Sequence, residues 1–174
     1  MHGDDRDTIY KTNYRDDEGT EKLTNYLQHD NQKVRDRTGR AMSDREIEQF
    51  NDKAAGRRNR HIIISPRDHE DLSDRELDRA TREYMSEMIE DRPTADYAYA
   101  VHDDKEHGKD VHIAMTAGDK QDLEMYPDDI RRERKQAHEA YLEYGRDRTQ
   151  EQEQEQEQEQ QNDRGRDLGG GRGR

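Results

Sequence analysis

Tyr97-Ala-Tyr-Ala-Val-His102-Asp-Asp-Lys-Glu-His107-Gly-Lys-Asp110-Val-His112-Ile-Ala-Met-Thr116 is the stretch whose reading decides the fold. Two short apolar runs flank a polar loop. Tyr97, Tyr99 and Val101 alternate with Ala98, Ala100 and His102, a period of two that predicts a half-buried strand. Val111, Ile113 and Met115 continue the apolar face after the loop. Asp110, His112 and Ala114 share the other face. If the two strands pair as neighbours, His102, Asp110 and His112 converge. Two imidazoles and a carboxylate suit a divalent metal with open positions: Mn²⁺ or Zn²⁺, and Mg²⁺ where waters fill the sphere. A polar hairpin with solvated histidines is the plainer alternative.

Outward from the hairpin, the chain reads as alternating elements. His61-Ile-Ile-Ile-Ser65-Pro66 is a β-branched run, expected as a central strand that Pro66 ends. Residues 73–91 are expected as the longest helix, with Ser73 and Glu76 as a capping box and Leu77, Ala80, Tyr84, Met85 and Met88 as its buried stripe. Residues 43–55 are a second helix, capped by Ser43 and Glu46, with Ile47, Phe50 and Ala54 facing inward and Gly56 as its stop. Leu23, Tyr26 and Leu27 lie one helical turn apart within residues 20–30. Ile9, Tyr10 and Tyr14 suggest a first strand, with a loosely ordered arm as the alternative. Leu123 to Tyr126 reads as a short strand. Pro127-Asp128-Asp129 opens a helix carrying Ile130, Ala137, Tyr141 and Leu142. The Glu-Gln repeat at 151–160 and the Gly/Arg end have no means to bury a core and are expected to be disordered or a frayed helix.

Composition sets the bounds. Of 174 residues, 43% are charged and 26% hydrophobic, which leaves room for one small core. With no cysteine, thiol nucleophiles and cysteine-based zinc sites are excluded. No apolar run is long enough to span a membrane, and the first residues lack a basic-then-apolar leader, so a cytoplasmic protein is expected. A net charge of −13 disfavours broad contact with a phosphate backbone, so anion contacts must be local. The densest basic cluster is Arg57-Arg58-Asn59-Arg60. It reads either as a phosphate clamp or as a solvated helix exit.

The hairpin resembles the third motif of conjugative relaxases of the mobilisation (Mob) type, in the HUH endonuclease superfamily. That motif reads His-x-Asp, a short polar loop, then His-hydrophobic-His-hydrophobic. Here it is His102-Asp103-Asp104, then Asp110-Val111-His112-Ile113, with Asp110 where the family has a histidine; His107 is a substitute in mid-loop. The His61 to Pro66 strand is similar to one that such relaxases carry before a long helix. Asn25-Tyr26-Leu27-Gln28-His29-Asp30, followed by the basic turn Val34 to Arg40, resembles the family's N-terminal tyrosine context.

The resemblance, over roughly residues 20–145, implies an α+β domain whose central antiparallel sheet carries a metal site and is covered by helices. The expected division is an arm at 1–19, the nuclease domain at 20–146 and a tail at 147–174. It implies a nucleophilic Tyr26, a metal on His102, Asp110 and His112, and Asp104 orienting a ligating imidazole. Arg57, Arg58 and Arg60 would hold DNA. The implied reaction is nicking of single-stranded DNA at an origin of transfer or replication, with an accessory DNA-binding protein as a further partner. Three other readings stand beside it. A replication-initiator type HUH nuclease would use Tyr141 or Tyr144. A DNA-binding descendant would keep the fold without the chemistry. A 2H-type phosphoesterase would use His61…Ser65 and His112…Thr116, whose spacing is too long for a His-x-Thr/Ser motif.

Overall fold

The expected hairpin forms. In the computed structural model, which describes residues 8–15, 33–55, 57–66, 72–104 and 108–170, strand β4 (Ala95–Asp104) pairs antiparallel with β5 (Gly108–Ala117). Ala100 lies opposite His112, and His102 opposite Asp110. Gly108 has a φ of 86°, a left-handed conformation that glycine adopts without strain as it leaves the turn. Strand β3 (Asn59–Ser65) pairs with the other side of β5, and β1 (Ile9–Arg15) pairs with β3. The two-residue β2 (Arg35–Asp36) closes the far edge against β4. The result is a five-stranded antiparallel sheet in the order β1-β3-β5-β4-β2. The first strand suggested by Ile9, Tyr10 and Tyr14 is therefore one edge of the sheet.

Alternation sends bulky side chains to one face. Ile62 and Ile64, Tyr97 and Tyr99, Val111, Ile113 and Met115 are buried there with Tyr10. Two helices cover them: α2 (Asp74–Ile89), through Leu77, Ala80, Tyr84, Met85 and Met88, and α3 (Pro127–Gly170), through Ala137 and Tyr141. Each fully buried Ile, Leu or Met contributes about 1.5–3 kcal/mol, so this face supplies most of the stability. Tyr10, Tyr84, Tyr99 and Tyr141 remain compatible with burial because their hydroxyls are paired. The Tyr10 and Tyr84 oxygens lie 2.8 Å apart, and Tyr84 donates to Glu133 at 2.8 Å.

The opposite face is built from small residues where helix α1 (Asp44–Ala54) crosses it. Ala98, Ala100 and Ala114 meet Ile47, Phe50 and Val34. Both predicted capping boxes are present, Ser43 with Glu46 and Ser73 with Glu76. One expectation changes. The strand expected at Leu123 to Tyr126 does not form: Lys120–Leu123 is a 3-10 turn, fixed by Asp119 accepting from the Gln121 amide, and residues 124–126 are irregular. Helix α3 runs through the Glu-Gln repeat to Gly170, within the frayed-helix alternative, with side chains 153–163 all exposed and burying no core. No helix among the described residues is long and apolar enough to cross a membrane.

Candidate functional site

Beyond the edge of α1, the small-residue face carries a diagonal row of three histidines, one on each of three adjacent strands. His61 on β3 pairs with Ala114, and His112 on β5 pairs with Ile63 and Ala100. His102 on β4 pairs with Asp110, one step further along the diagonal. The His61 and His112 rings are 5.5 Å apart and those of His102 and His112 are 5.7 Å apart, the latter edge to face. His61 Nε2 lies 3.4 Å from His112 Nδ1. That is long for a hydrogen bond. It matches the separation of about 3.4 Å between two nitrogens that share one tetrahedral ion with bonds of about 2.1 Å. The donors are of the right kind for a divalent ion, and the one short pair fits a hydrogen bond as well as a shared ion. Among the described residues, no three His, Asp or Glu side chains are gathered into a complete set.

His61 and His112 are nearly buried, whereas His102, Asp110 and Ser65 are half-buried. Burial pushes the His112 pKa below its ordinary value; Asp110 opposes this shift and His102 adds to it. His112 is therefore a neutral imidazole near pH 7, the form with a lone pair to give. Ser65 Oγ donates to Asp110 Oδ1, so one carboxylate oxygen of the expected third ligand is already engaged.

The other predicted residues scatter. Tyr26 and His107 lie outside the described residues. Asp104 pairs with Gly108 at the end of the hairpin. Arg57 is beside Gly118, where β5 ends, away from the histidines. Arg60 falls on the helix-covered side by alternation with His61. Its Nε donates to the Leu123 carbonyl at 2.8 Å and its Nη1 to Thr12 Oγ1 at 3.0 Å. The guanidiniums of Arg58 and Arg60 both stand 5.6 Å from the Tyr14 ring centre. The arginine cluster thus does not border the histidine row.

Tyr141 is 1% exposed within the core, its hydroxyl bonded to Thr81, and Tyr144 packs against the same core. Both sit across the sheet from the histidines. Sequence reading of the hairpin missed His61 as a member of the row. The available signal was its alternation with Ile63 and Ser65 on a strand expected to be central.

A family model described as relaxase, MobA/VirD2-like, nuclease domain matches residues 10–148. No curated protein and no solved structure matches the chain.

Proposed function

The chain belongs to the MobA/VirD2-like relaxase nuclease family, and from that premise we propose that it nicks single-stranded DNA by transesterification during plasmid mobilisation or conjugative transfer. The observation that carries the reading is the row of His61, His112 and His102 on one face of three adjacent strands, with His61 Nε2 and His112 Nδ1 3.4 Å apart. We assign these three histidines as ligands of a divalent ion, Mn²⁺ or Mg²⁺ first and Zn²⁺ next. When bound, the ion supplies a positive charge that polarises the scissile phosphate and stabilises its developing charge. His112, kept neutral by burial, holds its lone pair ready. Asp110, fixed by Ser65, orients and electrostatically supports the imidazoles beside it. Asp104 is assigned the same supporting role.

Tyr26 is the proposed nucleophile. Its phenolic oxygen bonds to phosphorus as the bond to the 3′-oxygen breaks. The phenol gives up its proton, the 3′-oxygen gains one, and a 5′-phosphotyrosine with a free 3′-hydroxyl results. The strands that bracket Tyr26 in sequence, β1 and β2, are the two edges of the sheet and point the same way. The assignment rests on the resemblance of Asn25-Tyr26-Leu27-Gln28-His29-Asp30 to the family's N-terminal tyrosine context. An accessory DNA-binding protein is the proposed partner that presents the origin.

The test incubates the protein with tiled single-stranded oligonucleotides and Mn²⁺ or Mg²⁺, followed by denaturing gels. A covalent adduct that disappears in Tyr26→Phe is expected. An adduct that survives in Tyr26→Phe would sink the assignment of the nucleophile. The second reading, a DNA-binding descendant without chemistry, is favoured by Asp110 in a histidine's place and by the charge of −13. Calorimetric titration showing DNA binding but no Mn²⁺ binding would select it.

A further inference from the structure

Tyr14 and the two arginines beside it lie at the rim of the sheet, on the side away from the histidines. We propose that this cluster is a second DNA subsite, where a nucleobase lies against the Tyr14 ring and the adjoining phosphate meets Arg58. The proposal rests on the single-stranded DNA reading above and adds a place where that strand is gripped outside the reaction centre.

Three observations carry it. First, among the described residues Tyr14 is one of few large apolar side chains left exposed, at 37%. It stands on β1, which among the described residues is an edge strand. An exposed aromatic ring with guanidiniums over it combines the aromatic and cationic contacts by which proteins hold unpaired bases without reading their sequence. Second, the charge is unusual for its surroundings. In a chain with net charge −13, Arg60 is only 7% exposed, and its hydrogen bonds go to neutral oxygens of Leu123 and Thr12. Among the described residues no carboxylate forms an ion pair with Arg60. Burying a cation costs stability, and here the cost is partly offset by the Tyr14 ring, over which the Arg60 guanidinium stands at 5.6 Å. Third, the subsite adjoins the reaction centre. Tyr14 pairs with Arg60, and the next residue, Asn13, pairs with His61. Successive residues of an edge strand face opposite ways, so a DNA strand leaving the histidine face over this rim arrives at Tyr14.

The experiment measures binding of fluorescent single-stranded oligonucleotides by anisotropy, without added metal, so that nicking plays no part. Tyr14→Ala and Tyr14→Leu are expected to weaken binding by about five- to a hundredfold, the usual range for losing one stacked base, while Tyr14→Phe stays within about twofold of wild type. Leucine keeps apolar bulk but not the ring, so its loss separates stacking from packing. Arg58→Gln is expected to reduce the salt dependence of log affinity by about 0.7 in slope, the signature of one lost phosphate contact on a single strand. If wild type binds and Tyr14→Leu binds equally well, this inference falls and the nicking reading stands. If the wild-type protein binds no single-stranded oligonucleotide, both fall.

Discussion

The two faces of the sheet are made by alternate residues of the same strands, yet they do opposite things. On one, Tyr97, Tyr99, Ile113 and Met115 are sealed under α2 and α3. On the other, Ala98, Ala100 and Ala114 let α1 approach closely, and the next residues along that face are His102 and His112. An imidazole row with two of its three rings buried adds little to folding and brings polar atoms that need partners. The strands tolerate it because the opposite face carries the stability. The lesson is a division of labour within a period of two, so substitutions one residue apart should fail in different assays.

The largest expected effect is on the closed face. Ile113→Ala removes a fully buried side chain and should cost about 2–5 kcal/mol in denaturant unfolding. The Mn²⁺ affinity of the molecules that remain folded should not change. A change in affinity would show that the faces are coupled through the strand.

One residue away, His112→Ala should reverse the pattern. Nicking should fall at least about a hundredfold, since even residues that merely orient metal ligands cost about 10–100-fold. Unfolding free energy should move by about 1 kcal/mol or less. A large loss of stability instead would make the histidine row a structural feature rather than a reactive one.

The faces should also fail at opposite ends of the pH scale. Burial pushes the Tyr97 hydroxyl up to about 12 and raises Tyr10, Tyr84, Tyr99 and Tyr141 as well. A phenol whose folded pKa is raised contributes stability in full below the unfolded value of about 10, and that stability is lost as pH rises toward the folded value. His112 has the reverse sign. Its folded pKa is lowered, so its contribution is complete above about 6.5 and is lost as pH falls below that. Thermal melts across pH should show both shoulders. Tyr97→Phe should soften only the alkaline one and His112→Gln only the acid one.

Local pattern made much of this legible in the sequence. The hairpin, the two capping boxes and the α2 stripe depend on residues within one or two turns of each other, and all are present. What stayed hidden depends on which strands become neighbours. His61 joins the row only because β3 inserts beside β5, a pairing of residues some fifty positions apart that no local period reports. Arg60 looked like part of a clamp because it adjoins other arginines in sequence, but alternation turned it to the far side. The strand expected at Leu123 was displaced by Asp119, whose side chain caps a turn. Helix α3 passed Gly145 because one glycine costs only about 1 kcal/mol and the Glu and Gln beyond it favour a helix.

The smallest expected effect decides between the two ligand sets. Sequence pairing gave His102, Asp110 and His112; the strand order gives His61, His102 and His112. Asp110 is held by Ser65 and lies across the strand pair from His102, so on the second reading it acts through the imidazoles. Asp110→Asn keeps the shape and removes the charge. It should weaken Mn²⁺ binding by less than about tenfold, below the range of about 10–100-fold seen for strongly coupled supporting groups. It should also lower the His112 pKa further, because the carboxylate is what holds it up. NMR titration of the imidazole protons in the metal-free protein reads that shift directly. His61→Ala, by contrast, should cost more affinity than Asp110→Asn. The opposite order, with Asp110→Asn the more damaging, would restore the carboxylate as a ligand and leave His61 as a packed neighbour of His112.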